Sequence, residues 1–552
     1  MKNTELKTRI IELADEMAGE TMPELTDELF GLFEKNGNRL AYENVYFPRR
    51  KFLAVYGISA ILFKRKEDIE KLEYVLDEIC KEKTWALPAH CDRKKRPDIE
   101  KEIDLFNAET AGALSEILKR AKGLLDESLC KRVRNEIARR VLIPFASEGS
   151  KYGFENAHHN WNAVCCGSVG TALINIGEEL LGKEKTLANL NRINASLSVF
   201  VDSFPEDGAC LEGAGYFNYG IGFLTAYGRR YKEYMKKSAD FFKSPKMAKI
   251  SEFPNIAFFL NGVAVNFSDA TENEKLHCGM LAGLQELCGT EYFVNENITA
   301  DFDSDPCYRF LPLFDDLNYG EELRLQKKTA EKRLSVLPFA EWAVAENAAG
   351  SGFATKGGNN AEPHNHNDVG SYIYLTSEGT SVCELGAGEY TADYFGAGRY
   401  NILCNGTQGH SLPLIGGKGQ LTGEEAKAGR FEVTESGNLI KVETDLTDCY
   451  HNCERVTRQL IFDSVDGSLQ IRDEIISGEE ISDRIISKKD ITDKIEVLSE
   501  DFELQMHREV FNNHQGEEES ICIFEIKEKK DGDNKKGADG KRLHSITYRL
   551  HP

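Results

Sequence analysis

The chain is poor in histidine, with 12 among 552 residues, and short of positive charge: 68 Lys and Arg face 91 Asp and Glu, a formal net charge of -23. A sequence pI near 5.1 argues against nucleic acid or an anionic membrane surface as the main partner. An acidic small ligand needs only a local cationic cleft, to which Pro48–Phe52, Asp92–Pro97 and the pair Arg229 and Arg230 could contribute; solvated faces are the ordinary alternative for such clusters. No run approaches the roughly 20 apolar residues of a membrane span. The opening MKNTELKTRIIELADEMAGE reads as a mixed-charge amphipathic helix without the apolar core of a signal peptide, so the expected location is the cytoplasm. The 14 cysteines lack a short repeating framework, which suits a reducing compartment. Cys449, His451 and Cys453 form a metal-like cluster but lack a second ligand pair.

Hydrophobic residues make up 41% and charged residues 29%, the balance of a globular chain, and 552 residues exceed one ordinary core. Up to about residue 320 the apolar positions recur at helical spacing, as in EDIEKLEYVLDEIC and AETAGALSEILKRAKGLL. Beyond the connector GEELRLQKKTAEKRLS the pattern becomes short alternating runs, punctuated by SEGT, ESGN and VDGS as hairpin turns. The expected organisation is a helical domain over 1–325 and an antiparallel β domain of sandwich size over 335–552. The stretch KEKKDGDNKKGADGKR near the end reads as a hairpin tip or flexible loop.

Three stretches concentrate chemistry. In NAHHNWNAVCCGSVG, His158, His159, Asn160, Trp161 and Asn162 crowd the start of a helix whose small face (Ala163, Cys166, Gly167, Gly170) permits close packing. Backbone donors at such an end favour a bound carboxylate, although an amide-rich cap is also common. FPEDGACLEGAGYFNYG sets Glu206, Asp207, Glu212, Tyr216 and Tyr219 among glycines, where a tyrosine could pack or move a proton to a sugar. In EPHNHNDVGSY, an extended backbone would put His364 and His366 on one face.

WALPAH, NWNAVCCG, DGACLEGAGYFNYG, HNHNDVGSYI, ELGAGEYT and GHSLPLIGGKGQ, in this order along the chain, resemble the heparinase II/III-like polysaccharide lyases over about residues 50 to 480. The resemblance implies an incomplete α/α toroid of helical hairpins followed by an antiparallel β-sandwich, and β-elimination on a uronate-containing glycan. Such a reaction needs a group that stabilises the uronate carboxylate as C5 loses its proton, a base for that proton and an acid for the departing O4. By resemblance, Asn162 with His159 would neutralise the carboxylate, Tyr216 would be the acid and, when both protons lie on one face, also the base, and His364 would be the base for the opposite epimer or a substrate contact. His90, Asn160, Trp161, Glu212 and Arg399 would line the cleft. His366, Glu384 and His410 would hold a structural metal, zinc by donor type. Here the chain departs from the family's pattern: Glu384 stands where Asp is usual, and Ser411 and Gly416 where Asn is common.

The expected partner is an acidic oligosaccharide or polysaccharide, with homo-oligomerisation left open. Heparan, heparosan, chondroitin, hyaluronan and alginate all supply a suitable uronate. A toroidal glycoside hydrolase would instead need two carboxylates flanking the bond, for which Glu206, Asp207 and Glu212 are available. A non-catalytic sugar-binding protein would need neither.

Overall fold

The computed structural model describes residues 2–91, 98–147, 149–326, 332–391, 393–529 and 540–552, so the basic cluster at 92–97 lies outside the described residues. Helices follow one another from Lys2–Glu16 to Phe310–Tyr319, and the strands begin at Arg333–Leu337. This is a helical toroid followed by a β-sandwich. The central helix starts at Asn160 and packs as tightly as its small residues foretell. A Cβ on Gly167 would lie 2.8 Å from the Phe223 carbonyl oxygen of the helix Ala214–Met235, which only a glycine tolerates. Its continuation through Leu181 departs from the expectation drawn from the sequence: Asn160–Leu181 is long and apolar enough to cross a membrane by length and composition. Of its most apolar stretch, 72% is buried inside the protein, as the innermost helix of a toroid requires.

All three large sheets are antiparallel, with five, six and four strands. The turns read from SEGT, ESGN and VDGS each close a hairpin, between Thr376 and Gly379, Ser436 and Leu439, and Phe462 and Leu469. The charged stretch near the end is different. Glu518–Glu528 and Arg542–Leu550, on either side of it, belong to different sheets, so it is a crossover and not a hairpin tip; its residues 530–539 lie outside the described residues.

The five-stranded sheet joins the two parts. Trp342–Glu346 is buried on both faces. The period of two sends Trp342 and Val344 into the helical core, and Ala343 and Ala345 into the core between the sheets. Trp342 packs against Phe267 and Phe253 with ring centroids 5.0 and 5.9 Å away. Beside it, Arg333 bonds the Phe258 carbonyl and pairs with Glu346 at 2.9 Å. The two parts therefore meet in continuous packing, and side chains from both can be held in register.

Two basic clusters prove structural. Arg49 and Arg50 are buried on Glu82 at 2.7 and 2.8 Å. Arg230 is buried between Glu116 and Asp315, and Arg229 pairs with Glu286 and Glu322.

Candidate active site

A buried carboxylate absent from every sequence motif organises the site. Asp269 sits in the loop after Phe267, its side chain 0% exposed. Two close backbone approaches clamp this loop: a Cβ on Gly213 would lie 2.8 Å from the Phe267 carbonyl oxygen, and one on Gly386 2.5 Å from that of Ala270. Both glycines also have positive φ, 89° and 71°, so no larger residue fits either position without strain.

Asp269 Oδ2 accepts from His364 Nδ1 at 2.7 Å and from the Tyr390 hydroxyl at 2.8 Å. Oδ1 accepts from His366 Nε2 at 3.0 Å and from the Tyr394 hydroxyl. Burial by itself would raise this carboxyl, but the hydrogen bonds and charges of His364 and His366 hold it well below the usual carboxylate range. His364 and His366 do converge, though not through an extended strand: His364 has φ 55°, a left-handed turn. One carboxylate collects both rings.

Tyr216, in the first turn of Ala214–Met235, stacks on His364 with ring centroids 4.0 Å apart and an interplanar angle of 29°. Its hydroxyl lies 2.7 Å from that of Tyr390. Tyr390 gives its one proton to Asp269, so Tyr216 donates to Tyr390. Burial, then the Asp269 charge, pushes the Tyr216 phenol far above its ordinary value, keeping it protonated. His364 Nδ1 is tied to Asp269, while Nε2 faces Glu212 Oε2 across 3.7 Å, beyond hydrogen-bond reach. Glu212 is buried with Oε2 unpartnered. Burial pushes its carboxyl up to about 7, with the Asp269 charge adding, while the His364 charge and the Asn160 backbone N–H oppose.

The cleft continues along the first turns of the inner helices. His159 caps Asn160–Ala172; burial lowers its imidazole, the neighbouring His364 charge adds to that, and a hydrogen bond with Asn160 opposes. Asn160 is itself buried on the first turn. Half-buried Trp161 meets His90 at 4.9 Å between ring centroids, and His90 Nδ1 is held by Asp104 at 2.8 Å. Arg309 lies 3.9 Å over the Tyr219 ring, and Tyr219 donates to Glu109, which burial raises to about 7.

Asn162 corrects the sequence reading. It is fully buried, and its amide donates to the carbonyls of Glu155 at 3.1 Å and Ser196 at 3.0 Å, so it has no donor left for a substrate. Two helical residues apart is about 200° of rotation, so His159 and Asn160 at the helix start can face the cleft while Asn162 faces the core. Arg399 also works inward: it donates to the carbonyls of Tyr394 and Asn365, tying the loop of Tyr390 and Tyr394 to the histidine segment.

For a metal, the structure gathers His366, Asp368 and His410, with one donor atom of each within 4.8 Å of the others. This differs from the expected set by one carboxylate. Glu384 accepts from Ser371 through Oε1 and pairs with His410 Nδ1 through Oε2, so both its oxygens are engaged behind the histidine. Asp368 Oδ1 takes the Lys356 ammonium at 2.8 Å, but Oδ2 is buried without a partner. That orphaned oxygen, with the imidazoles of His366 and His410, fits a divalent cation once His410 Nε2 gives up its 3.1 Å contact with the Cys404 carbonyl. Among the described residues no such group forms around Cys449, His451 and Cys453.

No family model matches this chain, and no curated protein matches it either. Solved structures do. A heparan sulfate lyase from Pedobacter heparinus aligns at TM-score 0.60 with 11% identity, over 99% of this chain and 83% of that one. A heparinase III aligns at 0.60 with 14% identity over 93% and 77%, and a mutant chondroitin AC lyase from Streptomyces coelicolor A3 at 0.51 with 10% identity over 100% and 79%. The shared fold spans both parts of the chain.

Proposed function

We propose that the protein is a polysaccharide lyase that cleaves a uronate-containing glycan, of the glycosaminoglycan type, by β-elimination. The observation that carries this reading is the stack of Tyr216 on His364, one side chain from the toroid and one from the β domain, tied together through Tyr390 and Asp269. A phenol held protonated suits the acid that delivers a proton to O4, and an imidazole with Nε2 free suits the base at C5. Both lie where the helical and β parts of the chain meet, a place where ligands commonly bind. The solved relatives named as heparan sulfate and chondroitin lyases support the same reaction class.

The hydrolase alternative asks for two carboxylates able to flank one bond. Glu206 pairs with Lys246 at the surface, and Asp207 caps the backbone of Phe339 and Ala340. Of the three carboxylates that reading offers, only Glu212 remains, and Asp269 is spent on four donors.

The proposal includes a zinc ion held by His366, Asp368 and His410, which when bound would brace the segment that presents His364. All 14 cysteines are free, which suits a reducing compartment, and we place the enzyme in the cytoplasm acting on oligosaccharides. The test is ultraviolet absorbance of the protein incubated with heparosan, heparan sulfate, chondroitin, hyaluronan or alginate, as polymers and short oligosaccharides. A rise from a conjugated double bond on one of them supports the reading. New reducing ends without that rise would replace it with hydrolysis, and binding without either product would leave a sugar-binding protein.

A further inference from the structure

We infer that Asp269 is a positioning residue that sets the base and the acid of the site through one oxygen atom. Oδ2 receives the His364 Nδ1 proton on one side and the Tyr390 hydroxyl on the other, and Tyr390 in turn receives the Tyr216 hydroxyl proton. An imidazole that donates from Nδ1 to a carboxylate is fixed, when neutral, as the tautomer whose Nε2 lone pair is open. Here that lone pair faces the slot toward Glu212. The same bond fixes the ring plane, and with it the face that stacks on Tyr216. Asp269 touches no substrate position itself, since its side chain is sealed from solvent and four donors occupy its two oxygens.

A purely structural role would be met by any polar group of this size. The donors say otherwise. An amide at this position offers one acceptor and one donor in place of two acceptors, so either His364 and Tyr390 or His366 and Tyr394 would face an N–H. Facing the former pair, it would turn His364 to the tautomer with Nε2 protonated, a poor base, as happens when the buried carboxylate of a Ser-His-Asp triad becomes an amide.

The kinetic consequence rests on the lyase reading, but the tautomer does not. The direct test is nuclear magnetic resonance of the native protein with ring-nitrogen-labelled histidine, the His364 signals assigned by their loss in His364→Gln. Nδ1 protonated and Nε2 bare is the expected result for neutral His364, and it reverses in Asp269→Asn. With an active substrate, Asp269→Asn should lower kcat roughly a hundred- to ten-thousandfold with KM changed less than about threefold. A native ring protonated at Nε2, or an Asn variant whose His364 tautomer has reversed while kcat stays within about threefold of wild type, overturns the inference. Should Asp269→Asn not fold, the native spectrum still decides. A protein inactive on every uronate would count against the proposed reaction, with the tautomer still deciding the role of Asp269.

Discussion

Replacing Glu212 by Gln should change how stability depends on pH, in a direction the geometry dictates. Glu212 is 7% exposed, its Oε2 has no hydrogen-bond partner, and His364 Nε2 lies 3.7 Å from it. Burial raises the carboxyl from an ordinary 4.5 to about 7 in the folded protein. Between those two values the unfolded chain has lost this proton and the folded chain keeps it. Stability from this group is therefore complete below the unfolded pKa and falls as pH rises through the folded one, by about 1.4 kcal/mol per unit. Over the whole interval that is about 3 kcal/mol, an order-of-magnitude figure. Gln has the same shape and no proton to lose, so the variant lacks this decline. Urea denaturation of both proteins at several values between about pH 4.5 and about pH 8 isolates the effect, because other titrating groups, Glu109 among them, contribute to both. The unfolding free energy of wild type minus that of Glu212→Gln should drop by about 3 kcal/mol across the range. A difference independent of pH, or one that grows with pH, refutes the argument that Glu212 is buried without a compensating partner.

Tyr216→Phe should lower kcat roughly a hundred- to ten-thousandfold by absorbance assay. It should cost only about 1 kcal/mol of stability, since Tyr390 keeps its bond to Asp269. Retained activity would remove the phenol from the reaction. Trp342→Ala, at the seam of the helical core and the five-stranded sheet, should cost about 3–5 kcal/mol in thermal or urea unfolding; a loss below about 1 kcal/mol would mean that the seam carries little of the packing. For the metal, elemental analysis after dialysis against zinc should show Asp368→Asn retaining about tenfold less than Glu384→Gln. The reverse ranking would return Glu384 to the ligand set in place of Asp368.

The parts of the molecule set by local physics could be read before any coordinates. The change from helical period to alternation, the three glycine-containing hairpin turns and the small face of the helix from Asn160 each depend on neighbours within a few residues. Tyr216 and His364 were legible because motifs surround them. Asn162 was misplaced because the motif identifies the cluster but not the helix phase that turns one amide inward. Asp269 had no signature: it is one of 91 acidic residues, in a loop more than 90 positions from the histidines it holds. Its only traces in the chain are Gly213 and Gly386, whose need for close backbone approach emerges once the loop is packed between them. Glu384 and Asp368 show the same limit, since both neighbour His410 and only the tertiary arrangement decides which oxygen is left open.

On the proposed function, a chain with net charge -23 needs local means to receive an anionic sugar. Its cleft supplies them by removing negative charge as much as by adding positive charge. Glu212 and Glu109, beside the site, are each raised by burial to about 7 and so carry less negative charge near neutral pH than the acidic surface around them. Asp269 is held ionised against four donors, and Asp305, also held below its ordinary value, is paired with Arg309 at 2.7 Å. Nearby are the N-terminal turns that begin at Asn160 and Ala214, whose backbone dipoles carry positive potential. On the proposed function, desolvation does double service: it keeps Tyr216 protonated, and it raises Glu212 enough that part of it still holds a proton near neutral pH and can donate to a uronate carboxylate.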